Sequence, residues 1–131
     1  MNFMHNDDLG KLILRLSVGF LMLFHGYAKL IHGIGFIEGV VTNAGLPAIM
    51  AYGVYIGEIV APIFLIIGFK VRISALIIAF TMFNAILLVH LNDIFTTTKT
   101  GAWGIELPML FLLSSLAIVF LGSGKYIITK K

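Results

Sequence analysis

The sequence predicts an all-α membrane protein with four transmembrane helices in an up-down-up-down bundle and a short amphipathic helix on the outer face between the first two. Two observations predict this class. Of the 131 residues 60% are hydrophobic and only 11% are charged, whereas a soluble domain carries about 25% charged residues. The apolar residues also form four long runs without period-2 alternation. We expect one domain, residues 1–131, embedded in the lipid bilayer.

The four apolar runs are each 19 residues long, which as helices span about 28 Å, close to the thickness of a hydrocarbon core. They are Leu12–Leu30, Met50–Gly68, Ile73–Leu91 and Trp103–Leu121. A backbone in lipid must satisfy its own hydrogen bonds, so these runs are predicted to be helices. The first run exceeds the length of a signal-peptide core and no A-x-A-like site follows it, so it is predicted to be a retained anchor.

Charge and composition exclude several classes of protein. The chain has no cysteine, which excludes disulfides, thiolate metal sites and covalently attached haem. A net charge of +3 without a basic run argues against nucleic acid as a partner. Seven basic residues flank the side that holds both predicted termini and two flank the other, which predicts cytoplasmic termini. The seven are Lys11, Arg15, Lys70, Arg72, Lys125, Lys130 and Lys131, and the two are Lys29 and Lys99.

The connection between the first two runs, residues 31–49, is half apolar. Its apolar residues recur at helical spacing, which predicts a short helix lying on or dipping into the outer face. They are Phe36, Ile37, Val40, Val41 and Ala44, and Gly45 and Pro47 end the pattern. Such a helix is either a packing lid or a substrate gate.

Ionisable residues inside the predicted spans are the main functional signal, because each is costly unless it is paired, hydrated or near the surface. His25 is predicted about 7–8 Å below the outer face and Glu58 about 12 Å, so the two can form one site. Pro62 cannot donate to the Glu58 carbonyl, which makes a second polar group there. The alternative is a neutral Glu58 bonded to a neighbouring helix. Arg15 and Lys29 can be explained by side chains that extend to the lipid headgroups.

Further polar residues fall in the same outer half of the bundle, which predicts an outward-facing polar cavity. The candidate catalytic residues are His25, Glu58, His90 and Glu106, with Lys29, Asn84 and Arg15 as candidate cofactor ligands. No metal site is predicted. Small residues at Gly53, Gly57 and Ala61 predict a close helix contact, either within the bundle or in a homo-oligomer.

These residues lie in a pattern that resembles the DoxX family of small four-helix bacterial membrane proteins, from Leu9 to Tyr126. The matching pieces are Leu14-Arg15-Leu16, His25-Gly26-Tyr27-Ala28-Lys29-Leu30, Gly45-Leu46-Pro47, Glu58, Gly68-Phe69-Lys70-Val71-Arg72, His90, Gly104-Ile105-Glu106 and Gly122-Ser123-Gly124-Lys125-Tyr126. Ser123 stands where proline is common in the family. The resemblance implies a four-helix bundle in the bacterial inner membrane. It also implies a redox association, with thiosulfate:quinone oxidoreductase for some members and complexes with detoxifying enzymes for others.

Three functions are compatible with this pattern. The first is a redox-associated subunit that binds a quinone or passes protons near the outer face, together with partner redox proteins. His25, Lys29 and His90 would donate hydrogen bonds to the quinone, and Glu58 or Glu106 would supply protons. A haem between His25 and His90 is a less favoured variant. The second is a transporter of a small solute, metal ion or lipid, and the third is a scaffold that holds a soluble enzyme at the membrane.

Overall fold

Helices make up most of residues 4–128, the part of the chain that the computed structural model describes. They are α1 (Asp7–His32), α2 (Gly35–Asn43), α3 (Ala48–Ile67), α4 (Val71–Leu88) and α5 (Glu106–Leu121), with a 3-10 turn at Leu91–Asp93. Within this range the only β pairing is an isolated bridge between Thr97 and Trp103. The all-α prediction is therefore confirmed. Lys130 and Lys131, which entered the prediction of orientation, lie outside the described residues.

Three of the helices, α1, α3 and α4, are long and apolar enough to cross a membrane by length and composition. The fourth predicted span is shorter: α5 begins at Glu106 rather than Trp103 and has 16 residues, a length of about 24 Å. Residues 97–104 instead fold into a loop, because the indole Nε1 of Trp103 donates to the Ile94 carbonyl and Gly104 N donates to Thr96 O.

The first helix is longer than its apolar run. It begins at Asp7, five residues before the predicted Leu12, because the Asn6 side chain caps it by accepting from Leu9 N at 3.0 Å. Asp7 and Asp8 lie in its first turn, where negative charge stabilises a helix. Gly33, at φ +82°, ends it.

The short helix predicted between the first two spans is present as α2. Its buried side consists of Val41 and the preceding Ile34, which pack against Ala51 at the start of α3. Phe36 projects from the same helix and is exposed. These contacts attach α2 to α3.

The main core lies between α1, α3, α4 and α5. Its buried members are Val18, Met22, Ala61, Leu65, Val71, Ala75, Ile78, Met82, Phe111 and Ile118. Large apolar side chains also cover the outside of the same helices, including Phe24, Phe80 and Phe120. Apolar side chains on both faces of a helix are expected where the solvent is lipid.

The small-residue stripe of α3 makes its closest contact within the chain. A Cβ atom added to Gly57 would overlap the side chain of Thr81 on α4, so only glycine allows this approach. Ala61 is buried in the core, whereas Gly53 has open space around it. The sequence allowed a contact within the bundle or in a homo-oligomer; at Gly57 the contact is within the bundle, between α3 and α4.

We expect Gly57→Leu to lower the thermal stability of the purified protein strongly, because the new side chain would push α3 away from α4. Ile56→Leu is the matched control, since Ile56 is the adjacent residue and is exposed. The measurement is the melting temperature of both variants in the same mild detergent. Equal melting temperatures would contradict the contact.

Arg15 differs from the expectation that it extends to the lipid headgroups. It is 1% exposed, and its guanidinium donates to four backbone carbonyls. Two belong to Leu65 and Ile66 near the end of α3, and two to Ser123 and Tyr126 after α5. We call this group the Arg15 cluster. It joins the beginning of the described chain to its last segment.

Candidate functional site

The centre of α3 departs from regular α-helix where the sequence places Glu58. Ile56–Val60 form a π-helical turn, in which Ala61 N donates to the Ile56 carbonyl. Pro62 has no N–H to donate to the Glu58 carbonyl four positions back. Gly26 of α1 packs on this carbonyl so closely that a Cβ atom would overlap it. A π turn inside an α-helix often marks a functional site.

The Glu58 carboxylate forms an ion pair with Lys29. The Lys29 Nζ and Glu58 Oε1 atoms are 2.7 Å apart, and the two side chains are 25% and 6% exposed. The Tyr55 hydroxyl donates to the Lys29 carbonyl at 3.3 Å, which adds a second polar contact between α1 and α3. Lys29 was expected to extend to the surface, but it turns toward Glu58 because a carboxylate this buried needs a charged partner.

A cavity of about 480 Å³, here called the loop-side cavity, lies under the loop that precedes α5. Five of its lining residues are ionisable: His25, Lys29, Glu58, His90 and Glu106. The His25 ring meets Phe111 edge-on at 5.7 Å between ring centroids. Thr98 and Trp103 of the loop add polar atoms to the lining. Such a lining offers hydrogen-bond partners to water.

A second cavity of about 640 Å³, here called the α2-side cavity, lies between α2, α3 and α4. Most of its lining is aliphatic or aromatic. The apolar members include Phe36, Ile37, Val40, Leu46, Val54 and Phe80. Thr81 and Asn84 are polar members, but Asn84 Nδ2 already donates to the Phe80 carbonyl of its own helix at 2.9 Å. The volume and apolar character are typical of a small-molecule site.

The ion pair lies at the boundary of the two cavities. Lys29, Glu58, Ala85 and His90 line both. The His90 ring is oriented by its Nδ1–H, which donates to Asp93 Oδ2 at 3.3 Å. Groups on this boundary can therefore contact a ligand in the mainly apolar α2-side cavity and, on the other side, the ionisable side chains of the loop-side cavity.

The structure brings most of the predicted site residues together. His25, Lys29, Glu58, His90 and Glu106 line the loop-side cavity, and Asn84 lines the α2-side cavity. Arg15 lines neither and belongs to the Arg15 cluster. Among the described residues no group of three or more His, Asp and Glu side chains is placed to hold a metal ion.

The direct contact of the Glu58 carboxylate is with Lys29 rather than with His25. His25 was expected to share a site with Glu58, and it does line the same cavity, but the direct contact is with Lys29. Lys29 lies one turn beyond His25 on the same face of α1, and its long side chain reaches back along the helix. That i,i+4 relation was the available signal. No comparable signal indicated Tyr55 or Trp103.

Two comparisons with known proteins found matches. A model of the DoxX family matches residues 10–91. A Bacillus subtilis (strain 168) protein named "Putative oxidoreductase CatD" is 29% identical over 119 residues, which cover 88% of this chain and 81% of that protein. No solved structure matches the chain significantly.

Proposed function

This chain belongs to the DoxX family, and we propose that it is a redox-associated membrane subunit whose Lys29–Glu58 pair handles protons for a quinone. The observation that carries the proposal is the ion pair, which lies at the boundary between a mainly apolar cavity and one that five ionisable side chains line. A carboxylate that is nearly buried yet borders a polar space can take up and release a proton. The name of the Bacillus subtilis relative, "Putative oxidoreductase CatD", supports a redox role.

The residues at the ion pair suit a quinone as substrate. A quinone takes up two electrons and two protons to become a quinol, and its oxygens become better hydrogen-bond acceptors as they gain charge. Lys29 offers an ammonium donor at the edge of the α2-side cavity. Glu58 is the proton carrier. The electrons would come from a partner redox protein.

We expect Lys29→Met to weaken the binding of a short-tail quinone by about tenfold or more, because a hydrogen bond from a charged donor contributes about 1.5–3 kcal/mol. The measurement is a quinone titration of the purified protein in lipid nanodiscs. Lys99→Met is the control, since Lys99 lies in the loop and lines neither cavity. The absence of any quinone binding by the unaltered protein would refute the proposed function.

The proposed membrane arrangement has four spans, with α5 as the fourth, in the bacterial inner membrane. Both termini would lie in the cytoplasm and α2 on the outer face. The basic residues support this, because Lys11, Lys70, Arg72 and Lys125 are at the end that holds the Arg15 cluster. The cavities would then open on the outer half, near Lys29 and Glu106.

A cysteine at position 97 tests this orientation. The chain has no cysteine of its own, so a single introduced thiol reports without background. We expect a membrane-impermeant maleimide to label Thr97→Cys in intact cells but to label Lys125→Cys only after the cells are opened. The opposite pattern would invert the topology.

A further inference from the structure

The two cavities that meet at the ion pair have different kinds of openings. The α2-side cavity is lined at its surface by exposed apolar rings, with Phe36 69% and Phe80 67% exposed. In the membrane arrangement proposed above these rings would face lipid. The exposed residues of the loop-side cavity include His25, Trp103 and Glu106, next to the hydrogen-bonded loop. The rim of the α2-side cavity is therefore apolar, whereas the rim of the loop-side cavity carries ionisable side chains beside the exposed Leu107.

We infer that the two cavities divide the work of the site: the α2-side cavity receives the ring and tail of a lipid-soluble carbonyl ligand, and the loop-side cavity holds the water that exchanges protons with Glu58. This inference rests on the proposed function and assigns a separate route to each reactant. As a partner redox protein supplies two electrons to the ligand, each of the two protons that the ligand takes up moves from water in the loop-side cavity to the Glu58 carboxylate, and from Glu58 to a ligand oxygen across the boundary. Lys29 holds that oxygen and balances the charge of Glu58.

Solvation favours this division over a single mixed route. Water enters a cavity stably when it finds about two to four polar partners, and the loop-side cavity supplies them. The part of the α2-side cavity next to Val40, Val54 and Leu46 is apolar. An apolar ligand there gains about 25 cal/mol for each Å² removed from water. The helix α2 forms one wall of this cavity and is held by apolar contacts, so in the proposed membrane arrangement it would separate the ligand from the outer water.

Single-cysteine variants of the full-length, cysteine-free chain test the inference in liposomes. Val54→Cys places a thiol in the α2-side cavity alone and Ala102→Cys in the loop-side cavity alone. Val60→Cys is the matched control for Val54, because Val60 is an exposed valine of the same helix and lines neither cavity. Each variant is treated with a neutral lipid-soluble maleimide and with a charged thiosulfonate. The treatments are repeated with a fully ring-substituted short-tail quinone, which does not alkylate thiols.

The expected pattern is specific to each thiol. The charged reagent should label Ala102→Cys and not Val54→Cys. Quinone at ten times its Kd should slow labelling of Val54→Cys by the lipid-soluble reagent about 10-fold, and leave Ala102→Cys and Val60→Cys unchanged.

Two results would overturn the division of the cavities. One is labelling of Val54→Cys by the charged reagent as fast as Ala102→Cys. The other is protection of Ala102→Cys in place of Val54→Cys. Both leave the proposed function standing if the nanodisc titration shows quinone binding. If the titration shows no binding, the quinone is refuted as the ligand. The labelling pattern measured in the absence of quinone still decides which cavity is open to water.

Discussion

Glu58→Gln is expected to abolish the protein's activity while most of the protein remains folded. Glutamine keeps the shape and can still accept a hydrogen bond from Lys29, but it carries neither the charge nor the exchangeable proton. Some stability should be lost, because the Lys29 ammonium loses its charged partner. The measurement is complementation of a deletion strain at matched membrane expression. Glu38→Gln is the control, since Glu38 lies on α2 outside both cavities.

A double variant separates a chemical role of Glu58 from a packing role. Lys29→Gln combined with Glu58→Gln makes both side chains neutral, so the charge imbalance of the single variant disappears. We expect the double variant to recover thermal stability in detergent and to remain inactive. Recovery of both stability and activity would show that the pair only holds α1 against α3.

Arg15→Met should prevent stable assembly of the protein. Four carbonyls that now accept from one guanidinium would lose their donor, and two of these hydrogen bonds, to Leu65 and Ser123, are buried. Each unsatisfied buried acceptor costs about 1–3 kcal/mol, so the expected total is a large part of the stability of a small protein. Lysine is a poor substitute, because its single ammonium cannot reproduce a planar fork of donors.

The measurement for Arg15 is the melting temperature and the yield of folded protein in mild detergent. Lys11→Met is a suitable control, since Lys11 is a basic residue one turn earlier on α1 that is only half-buried. We expect the control to behave like the unaltered protein. A normal melting temperature for Arg15→Met would mean that the Arg15 cluster contributes little to the fold.

The long helices and the polar half of the bundle could be predicted from the sequence because both depend on local physics. Apolar runs of membrane length leave the backbone no alternative to a helix. Pro62, four residues after Glu58, indicates that the Glu58 carbonyl lacks its helical hydrogen bond. The end points were less predictable. Asn6 extends α1 into polar sequence, and the Trp103 indole bond to the loop shortens α5.

The contacts that involve Lys29 and Arg15 could not be derived from a linear pattern. Both side chains have an alternative partner in the lipid headgroups, and only the packing of distant segments decides between them. For Lys29 the deciding feature is Gly26, which lets α1 approach the Glu58 turn. For Arg15 it is Gly68, whose φ of +84° turns the chain so that Ile127 and the Arg15 guanidinium fit against it.

The hydrogen bonds of the Arg15 cluster can form only in a fixed order while the protein is synthesised. The acceptors of Arg15 follow it by 50, 51, 108 and 111 positions along the chain. At about 5–20 residues per second, Tyr126 emerges about 5–20 seconds after Arg15. Until Leu65 and Ile66 have emerged, the guanidinium of the first helix must be solvated by water or headgroups, and until Ser123 and Tyr126 follow it has only two of its four acceptors. A chain cut after Leu121 would contain every described helix, yet Arg15 would still lack two of its four acceptors.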